Sequence, residues 1–150
     1  MRPEMITFQD DMPVRAYIQN IAEYPYHWHK TLEITMVLEG EATVNVGGET
    51  LLLTENNIVV INSNEIHSIR GKDNKLLFIQ IDQDFCDKTY SDFQFVFFQC
   101  CSLYREAKAP EKYKTLKDHL LLLVRLLLAK EADKRQQAEI MDCLEKQWPI

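Results

Sequence analysis

Between Thr31 and Gln83 the chain runs in short alternating segments of apolar and polar residues, each closed by Gly, Asn, Asp or Ser. That cadence restricts it to a few all-β architectures. Leu32 to Glu39 and Ala42 to Val46 are rich in β-branched residues, and Gly47-Gly48 joins the second of them to Glu49 to Leu53 as a two-residue hairpin. Glu55-Asn56-Asn57 predicts the next turn, Ile58 to Ile61 the next strand, and Ser63-Asn64-Glu65 another turn. Ile66 to Arg70 and Lys75 to Ile81 flank Gly71-Lys72-Asp73-Asn74, which reads as the turn of a further hairpin. Two extended segments precede these, Met5 to Phe8 and Val14 to Ile21, the latter with Val14, Ala16 and Ile18 on one face and Arg15, Tyr17 and Gln19 on the other. Strands this short and this evenly spaced predict a sandwich or jelly roll, two sheets enclosing a pocket.

The chemistry concentrates in His27-Trp28-His29-Lys30-Thr31-Leu32-Glu33. In an extended strand alternate side chains share a face, so His27 and His29 point the same way and Glu33 follows a little further along. The same parity places Tyr24, Tyr26 and Trp28 on the opposite face. His67 follows the Ser63-Asn64-Glu65 turn and can lie beside the first pair. Three imidazoles and a carboxylate mix N and O donors, a set suited to Zn, Ni, Fe or Mn. Glu33 stands between Leu32 and Ile34, and an inward carboxylate needs a metal or a partner, because burying it bare costs several kcal/mol, roughly. Without a metal, an Arg or hydroxyl would pair with Glu33 and each histidine would be hydrogen-bonded in a polar pocket.

The order His-x-His, three residues, Glu, six residues, Gly resembles the first motif of the cupin superfamily, at His27, His29, Glu33 and Gly40. The second cupin motif, Pro-x-Gly-x-x-His, stands here in eroded form, with Asn62 and Asn64 for Pro and Gly and His67 kept. The wording Ile-Asn-x-Asn-Glu-Ile-His-Ser is similar to the sensor domains of AraC-family transcription regulators. The resemblance covers residues 14 to 82, and the helical tail more loosely. It implies a mainly β chain with C-terminal helices: a cupin-type jelly-roll barrel over residues 1–105 and a helical dimerisation segment over 106–150. It further implies that the barrel holds a small-molecule effector, a sugar or other small metabolite, that the chain forms a homodimer, and that DNA is read by a helix-turn-helix domain this chain lacks. The metal ligands would be His27, His29, Glu33 and His67. Parity adds Thr31, Thr35 and Val37 from one strand, with Phe78 and Gln80 from another, as effector contacts. The same motif also fits a small cupin metalloenzyme, a dioxygenase or isomerase. The eroded second motif and the leucine-rich helix described next weigh toward a regulator that is not an enzyme.

Asp82 or Asp84 caps a short helical turn, Gln94 to Phe98 reads as a last strand, and Pro110 opens a long helix reaching Lys130. That helix carries one apolar row at Leu116, Leu120, Leu123 and Leu127 and a second at Leu121, Val124 and Leu128. One row covers the barrel and the other is predicted to meet a second copy, with Leu120, Leu121, Val124, Leu127 and Leu128 as the dimer contacts. Ala132 to Gln147 forms another helix with Ile140, Met141, Leu144 and Trp148 as its apolar positions, and Pro149-Ile150 reads as a cut ahead of a DNA-binding part. Lys and Arg total 17 against 23 Asp and Glu, and the net charge of -6 sets this chain against phosphate polyanions. Cys86, Cys100, Cys101 and Cys143 lack C-x-x-C spacing and read as reduced thiols of a cytoplasmic protein. No apolar signal follows Met1, and the run from Leu120 to Ala129 is broken by Arg125 and far shorter than the ~20 residues a membrane span requires. No Gly-x-Ser-x-Gly and no phosphate-binding glycine loop occurs among the four glycines.

Overall fold

A computed structural model of the chain describes residues 2–8, 12–129 and 134–147. Its strands are β1 (Arg2–Pro3), β2 (Val14–Gln19), β3 (Glu23–Trp28), β4 (Leu32–Val46), β5 (Glu49–Leu53), β6 (Ile58–Ile61) and β7 (His67–Ile81). Its helices are α1 (Gln83–Thr89), α2 (Ser102–Arg105), α3 (Pro110–Leu128) and α4 (Lys134–Gln147).

Two strands of 15 residues, β4 and β7, pair antiparallel along their whole length and organise the rest. The first half of β4 also pairs with β6, and its second half with β5. β7 mirrors this, pairing first with β3 and then with β2. One sheet therefore bends across its middle into two facing halves. At the bend the β4–β7 register shifts on either side of Glu39, Gly40 takes φ +78° and Asp73 takes φ +49°.

The segments read separately as Leu32 to Glu39 and Ala42 to Val46 are thus one strand. The hairpin turn expected at Gly71 to Asn74 is corrected: Gly71 pairs with Ala42 and Lys72 with Glu41 inside a continuous β7. Asn74 stabilises the bend instead of reversing the chain. Its buried amide accepts from the Ile21 N–H (2.9 Å) and donates to the carbonyls of Ile21 (3.0 Å) and Glu41 (3.1 Å). Gly47 and Gly48, at φ +57° and +76°, do form the expected reversal between β4 and β5, with the two positive φ angles a type I′ turn requires.

Strand alternation builds two cores. Val37, Val44, Leu51, Leu53, Val59, Ile61, Leu76 and Phe78 fill the inside of the barrel. Ile34, Met36, Leu38, Ile58, Leu77 and Ile79 face outward and are covered by Leu120, Val124 and Leu128 of α3 and Leu144 of α4, with Val14, Ala16 and Ile18 of β2 at the margin. Each buried leucine or valine there contributes ~1.5–3 kcal/mol relative to exposure, so α3 is committed to the barrel.

The helical row expected to face a partner is corrected accordingly. Val124 and Leu128 are buried within the chain, Leu121 packs partly against the same core, and Leu127 is half-buried. The sheet half is wider than one helical stripe, so it takes both rows. The leucines of α3 left in solvent are Leu122 and Leu126, 56% and 59% exposed.

Two further expectations change. Met5 to Phe8 forms no strand; the pairing comes two residues earlier, where β1 lies parallel to β3. Gln94 to Phe98 is not a strand: Phe93–Phe95 makes a 3-10 turn, 96–100 is irregular, and Cys101 bridges Val59. The capping expectation at Asp82 holds, its carboxylate accepting from the Asp84 N–H (3.3 Å), and Pro110 stands in the first turn of α3. Cys86, Cys100 and Cys101 are free thiols. Among the described residues no helix is long and apolar enough to cross a membrane. Lys130, Ala132, Trp148, Pro149 and Ile150, and the side chains of Ile140 and Cys143, lie outside what is described.

Candidate metal centre

β3 carries His27 and ends one residue before His29, while β7 begins at His67, and the β3–β7 register sets His27 opposite His67. The three imidazoles converge. Ring centroids are 4.1 Å apart for His27 and His67, 4.9 Å for His29 and His67 and 5.7 Å for His27 and His29. One ligating nitrogen from each lies within 4.8 Å of the other two. All three residues are buried, at 4%, 2% and 0% exposure in chain order.

The backbone sets which nitrogen is free. Nδ1 of His27 faces the Pro25 carbonyl (2.8 Å), Nδ1 of His29 the Thr31 carbonyl (3.1 Å) and Nδ1 of His67 the Glu65 carbonyl (2.8 Å). A carbonyl only accepts, so Nδ1 of His27 and of His67 carries the proton and Nε2 of each keeps a lone pair, whereas Nε2 of His29 faces the Glu33 carboxylate. Thr31 Oγ1, 2.8 Å from His29 Nδ1, adds to the hold on that ring. Nε2 of His29 and of His67 are buried without a hydrogen-bond partner. Leaving such atoms bare costs ~1–3 kcal/mol each, and a divalent ion removes that cost. The donor set therefore fits a metal.

Glu33 sits at the side of this group, next to His29. Its Oε2 lies 3.0 Å from His29 Nε2. Oε2 also accepts from Gln80 Nε2 (2.9 Å), and Oε1 accepts from Thr35 Oγ1 (2.9 Å). Burial pushes the Glu33 carboxyl up, but His29, His67 and Gln80 outweigh it and hold the group well below the usual carboxylate range. His29 shows the converse: burial pulls its pKa down, and the Glu33 carboxylate raises it above the ordinary value. Burial dominates at the other two rings, lowering His27 despite the Pro25 carbonyl and Glu4, and lowering His67 to about 4 despite Glu33.

Residues 14–145 match the family model of the AraC-like ligand binding domain. The chain belongs to that family. A comparison with curated protein sequences found no match. Solved structures similar to this AraC-like domain include a cupin-2 domain-containing protein of Shewanella frigidimarina, at 21% identity, 52% of this chain, 78% of that chain and TM-score 0.41. A cupin protein of Bacteroides fragilis aligns at 22% identity over 53% of this chain and 82% of that one, with TM-score 0.43. The Cnp3 cupin domain of Schizosaccharomyces pombe aligns at 17% identity over 55% and 66%, with TM-score 0.47.

The barrel of this AraC-like domain brings His27, His29 and His67 to one place, with Glu33 beside His29. The residues read as effector contacts all lie buried inside it. Thr31 braces His29, Thr35 and Gln80 hold Glu33, Val37 is packed in the inner core, and Phe78 stacks on Tyr17 with centroids 5.1 Å apart. Gln80 also accepts from Arg15 Nε (2.6 Å). The two clefts described lie elsewhere. One of about 460 Å³ is bordered by Tyr26, Asn45, Thr50, Asn64 and Glu65. The other, about 310 Å³, lies against Leu51, Val59, Phe98, Cys101, Tyr104 and Arg105. None of the three histidines lines either.

Two features escape the sequence reading. A register shift of β3 between Tyr24 and His27 breaks the alternation, so the Tyr24 ring stands 4.1 Å from the His27 ring instead of across the strand. Glu4 reaches the site as well, its Oε2 3.4 Å from His27 Nε2. Only the pairing of β1 with β3 brings it there, and no local pattern encodes that pairing. The eroded second motif keeps its geometry: Asn64, where the motif has Gly, adopts φ +63°, a conformation Asn tolerates better than other residues with a side chain.

Proposed function

We propose that this AraC-like domain senses a small metabolite for a transcription regulator and holds a divalent transition metal, Zn, Ni, Fe or Mn, on His27, His29, Glu33 and His67. The carrying observation is the enclosure of the histidine centre: none of its three imidazoles lines either of the two clefts described, while the turn that aims His67 borders the larger of them through Asn64 and Glu65. A buried centre whose second layer is exposed suits a site that reports occupancy. The effector binds inside the barrel against Thr31, Thr35, Val37, Phe78 and Gln80. It enters by the cleft at Leu51 and Val59, two residues that also belong to the inner wall. When bound, the ion supplies a Lewis-acid anchor for an effector oxygen.

The regulator works as a homodimer. Leu120, Val124 and Leu128 hold α3 on the barrel, Leu121 and Leu127 flank the contact, and Leu122 and Leu126 supply its exposed face. DNA is read by a helix-turn-helix segment outside these 150 residues, in the cytoplasm, in keeping with the net charge of -6. A metalloenzyme, dioxygenase or isomerase, is the second reading, favoured by the unblocked Nε2 atoms. One experiment separates the two. Metal-loaded protein is screened by thermal shift against sugars and organic acids, and every hit is followed by chromatography for turnover. A sensor gives a compound that raises the melting temperature and is recovered unchanged. Conversion of the hits would establish the enzyme instead.

A further inference from the structure

We infer that the effector is a small organic acid and that Arg15 receives its carboxylate. This rests on the reading that the barrel senses a metabolite, and it names the chemical class that the barrel takes. Three observations carry it.

The first is where the cation stands. Along β2, Val14, Ala16 and Ile18 pack against the outer core and Tyr17 against the inner one, so Arg15 shares the inward face with Tyr17. The β2–β7 register sets Arg15 directly opposite Gln80 and Tyr17 opposite Phe78, both read as effector contacts. Arg15 itself is half-buried, so an incoming molecule can reach it.

The second is the company it keeps. Arg15 Nε donates to Gln80 Oε1 at 2.6 Å, the Tyr17 hydroxyl shares a further hydrogen bond with the guanidinium, and Nη1 reaches the Thr7 carbonyl only at 3.5 Å. Every one of these acceptors is neutral. Among the described residues no acid pairs with Arg15, and Glu33 cannot, because the Gln80 amide stands between them and Thr35, Gln80 and His29 already occupy its oxygens. A guanidinium presents a planar fork of N–H donors that matches a carboxylate with parallel charge-assisted bonds. An inward cation held by neutral groups alone selects an anion, which a sugar is not.

The third is that the fork is set in advance. The Arg15 guanidinium carbon lies 4.9 Å from the centroid of the Tyr17 ring, and that ring stacks on Phe78 at 5.1 Å. The stack holds the side chain before any ligand arrives, so binding orders little that was free. Gln80, with its oxygen toward Arg15 and its nitrogen toward Glu33, leaves Arg15 a single side chain away from the carboxylate beside His29.

The test is calorimetric titration of the 150-residue chain, with Ni(II) present, against a series of sodium carboxylates from acetate to benzoate and against the primary amide of each. The proteins are the parent, Arg15→Gln, Arg15→Lys and Arg70→Gln, the last removing an exposed arginine of β7 as a control. In the parent and Arg70→Gln an acid binds at least about ten-fold more tightly than its amide, and Arg15→Gln loses that advantage, as removal of a charge-assisted hydrogen bond requires. Arg15→Lys keeps the charge without the fork and retains the preference for acid over amide. The Nε–H resonance of Arg15 in the parent shifts with the acid and not with the amide, a readout that needs no variant to fold. If no acid outbinds its amide in the parent, the inference is overturned, and an uncharged sugar that raises the melting temperature leaves the sensing reading standing. An acid that binds Arg15→Gln as tightly as the parent, or leaves the Arg15 resonance unmoved, sits elsewhere and overturns the assignment. Turnover of the bound acid overturns the sensing reading instead, with Arg15 judged by the same comparison.

Discussion

Replacing Gly40 by alanine tests the bend that gives the barrel its shape, and Gly48 supplies the control. Both glycines have positive φ, +78° and +76°, so alanine at either carries the same left-handed cost of roughly 1–2 kcal/mol. Both gain the same ~0.4–1 kcal/mol from a stiffer unfolded chain. They differ in space. A Cβ at Gly40 meets the Asp73 carbonyl oxygen at 2.6 Å, with Asn74 Cα at 3.1 Å and Asn74 Cβ at 3.2 Å, whereas a Cβ at Gly48 meets nothing within 4 Å. The Gly40 overlap is with backbone and cannot be relieved by turning a side chain. It must displace a stretch where Asn74 makes three hydrogen bonds, at an overpacking cost of about 1–3 kcal/mol. Taking ~2 kcal/mol as the central difference, Gly40→Ala melts roughly 4–8 °C below Gly48→Ala in a domain of this size. Thermal unfolding followed by circular dichroism measures it. Equal melting temperatures for the two variants would refute the reasoning, because everything they share cancels.

Acid should weaken the metal-free domain through His67. Its folded pKa of about 4 lies below the unfolded value near ~6.5, so the unfolded chain binds more protons in between; stability is complete above ~6.5 and falls as pH drops toward 4. By about pH 4.5 the loss reaches ~2.5 kcal/mol and is absent in His67→Asn, so urea unfolding in chelator giving parallel pH profiles for the two proteins would contradict it. Asn62→Ala removes an amide that accepts from the Phe98 N–H (2.7 Å) and donates to its carbonyl (2.9 Å). At ~1–3 kcal/mol for the orphaned groups, exchange of the Phe98 amide should quicken roughly ten-fold or more, and an unchanged rate would rule out the clamp. Parent protein should sediment as a concentration-dependent dimer and Leu122→Glu/Leu126→Glu as a monomer of unchanged melting temperature; a dimeric variant would place the contact off this face.

How far the sequence reached depended on whether a local pattern carried the information. Alternation in Val14 to Gln19 was readable because β2 lies flat against the far half of β7 and one face of it is covered. His27, His29 and His67 were readable for the same reason, since each stands at or beside the end of a strand in the pair that aligns them. Gly71 to Asn74 misled because Gly and Asn serve bends inside strands as well as turns between them, and the choice was made by β4, 30 residues away in sequence. Gln94 to Phe98 has β-forming residues but no edge to join, since Cys100 and Cys101 already line β6, and Phe95 is left 79% exposed. On α3 both apolar rows were visible. Which of them met the sheet depended on the width of the sheet. The lean of Glu33 toward His29 was set by Thr35 and Gln80, the latter from a strand 47 residues on.

The turn from Asn62 to Ile66 joins the buried centre to the surface, and that connection gives the sensor reading its sharpest consequence. Its Asn64 N–H holds the His29 carbonyl (2.7 Å), Ser63 Oγ donates to the Lys30 carbonyl (2.7 Å), and the Glu65 carbonyl takes the His67 Nδ1 proton (2.8 Å). Two of the three imidazoles are thus aimed by one short segment, which Asn62 ties to Phe98 at the border of the smaller cleft. An effector that prefers one position of this turn must change the affinity for the ion. Thermodynamic linkage makes the effect reciprocal: the factor by which saturating effector changes the metal dissociation constant equals the factor by which saturating metal changes the effector's. Coupling of ~1–3 kcal/mol corresponds to roughly 5–150-fold in each direction. Paired titrations of metal with and without effector, and of effector with and without metal, measure both factors. Effector affinity that ignores the ion would separate the effector site from the histidine centre and leave the turn a purely structural device.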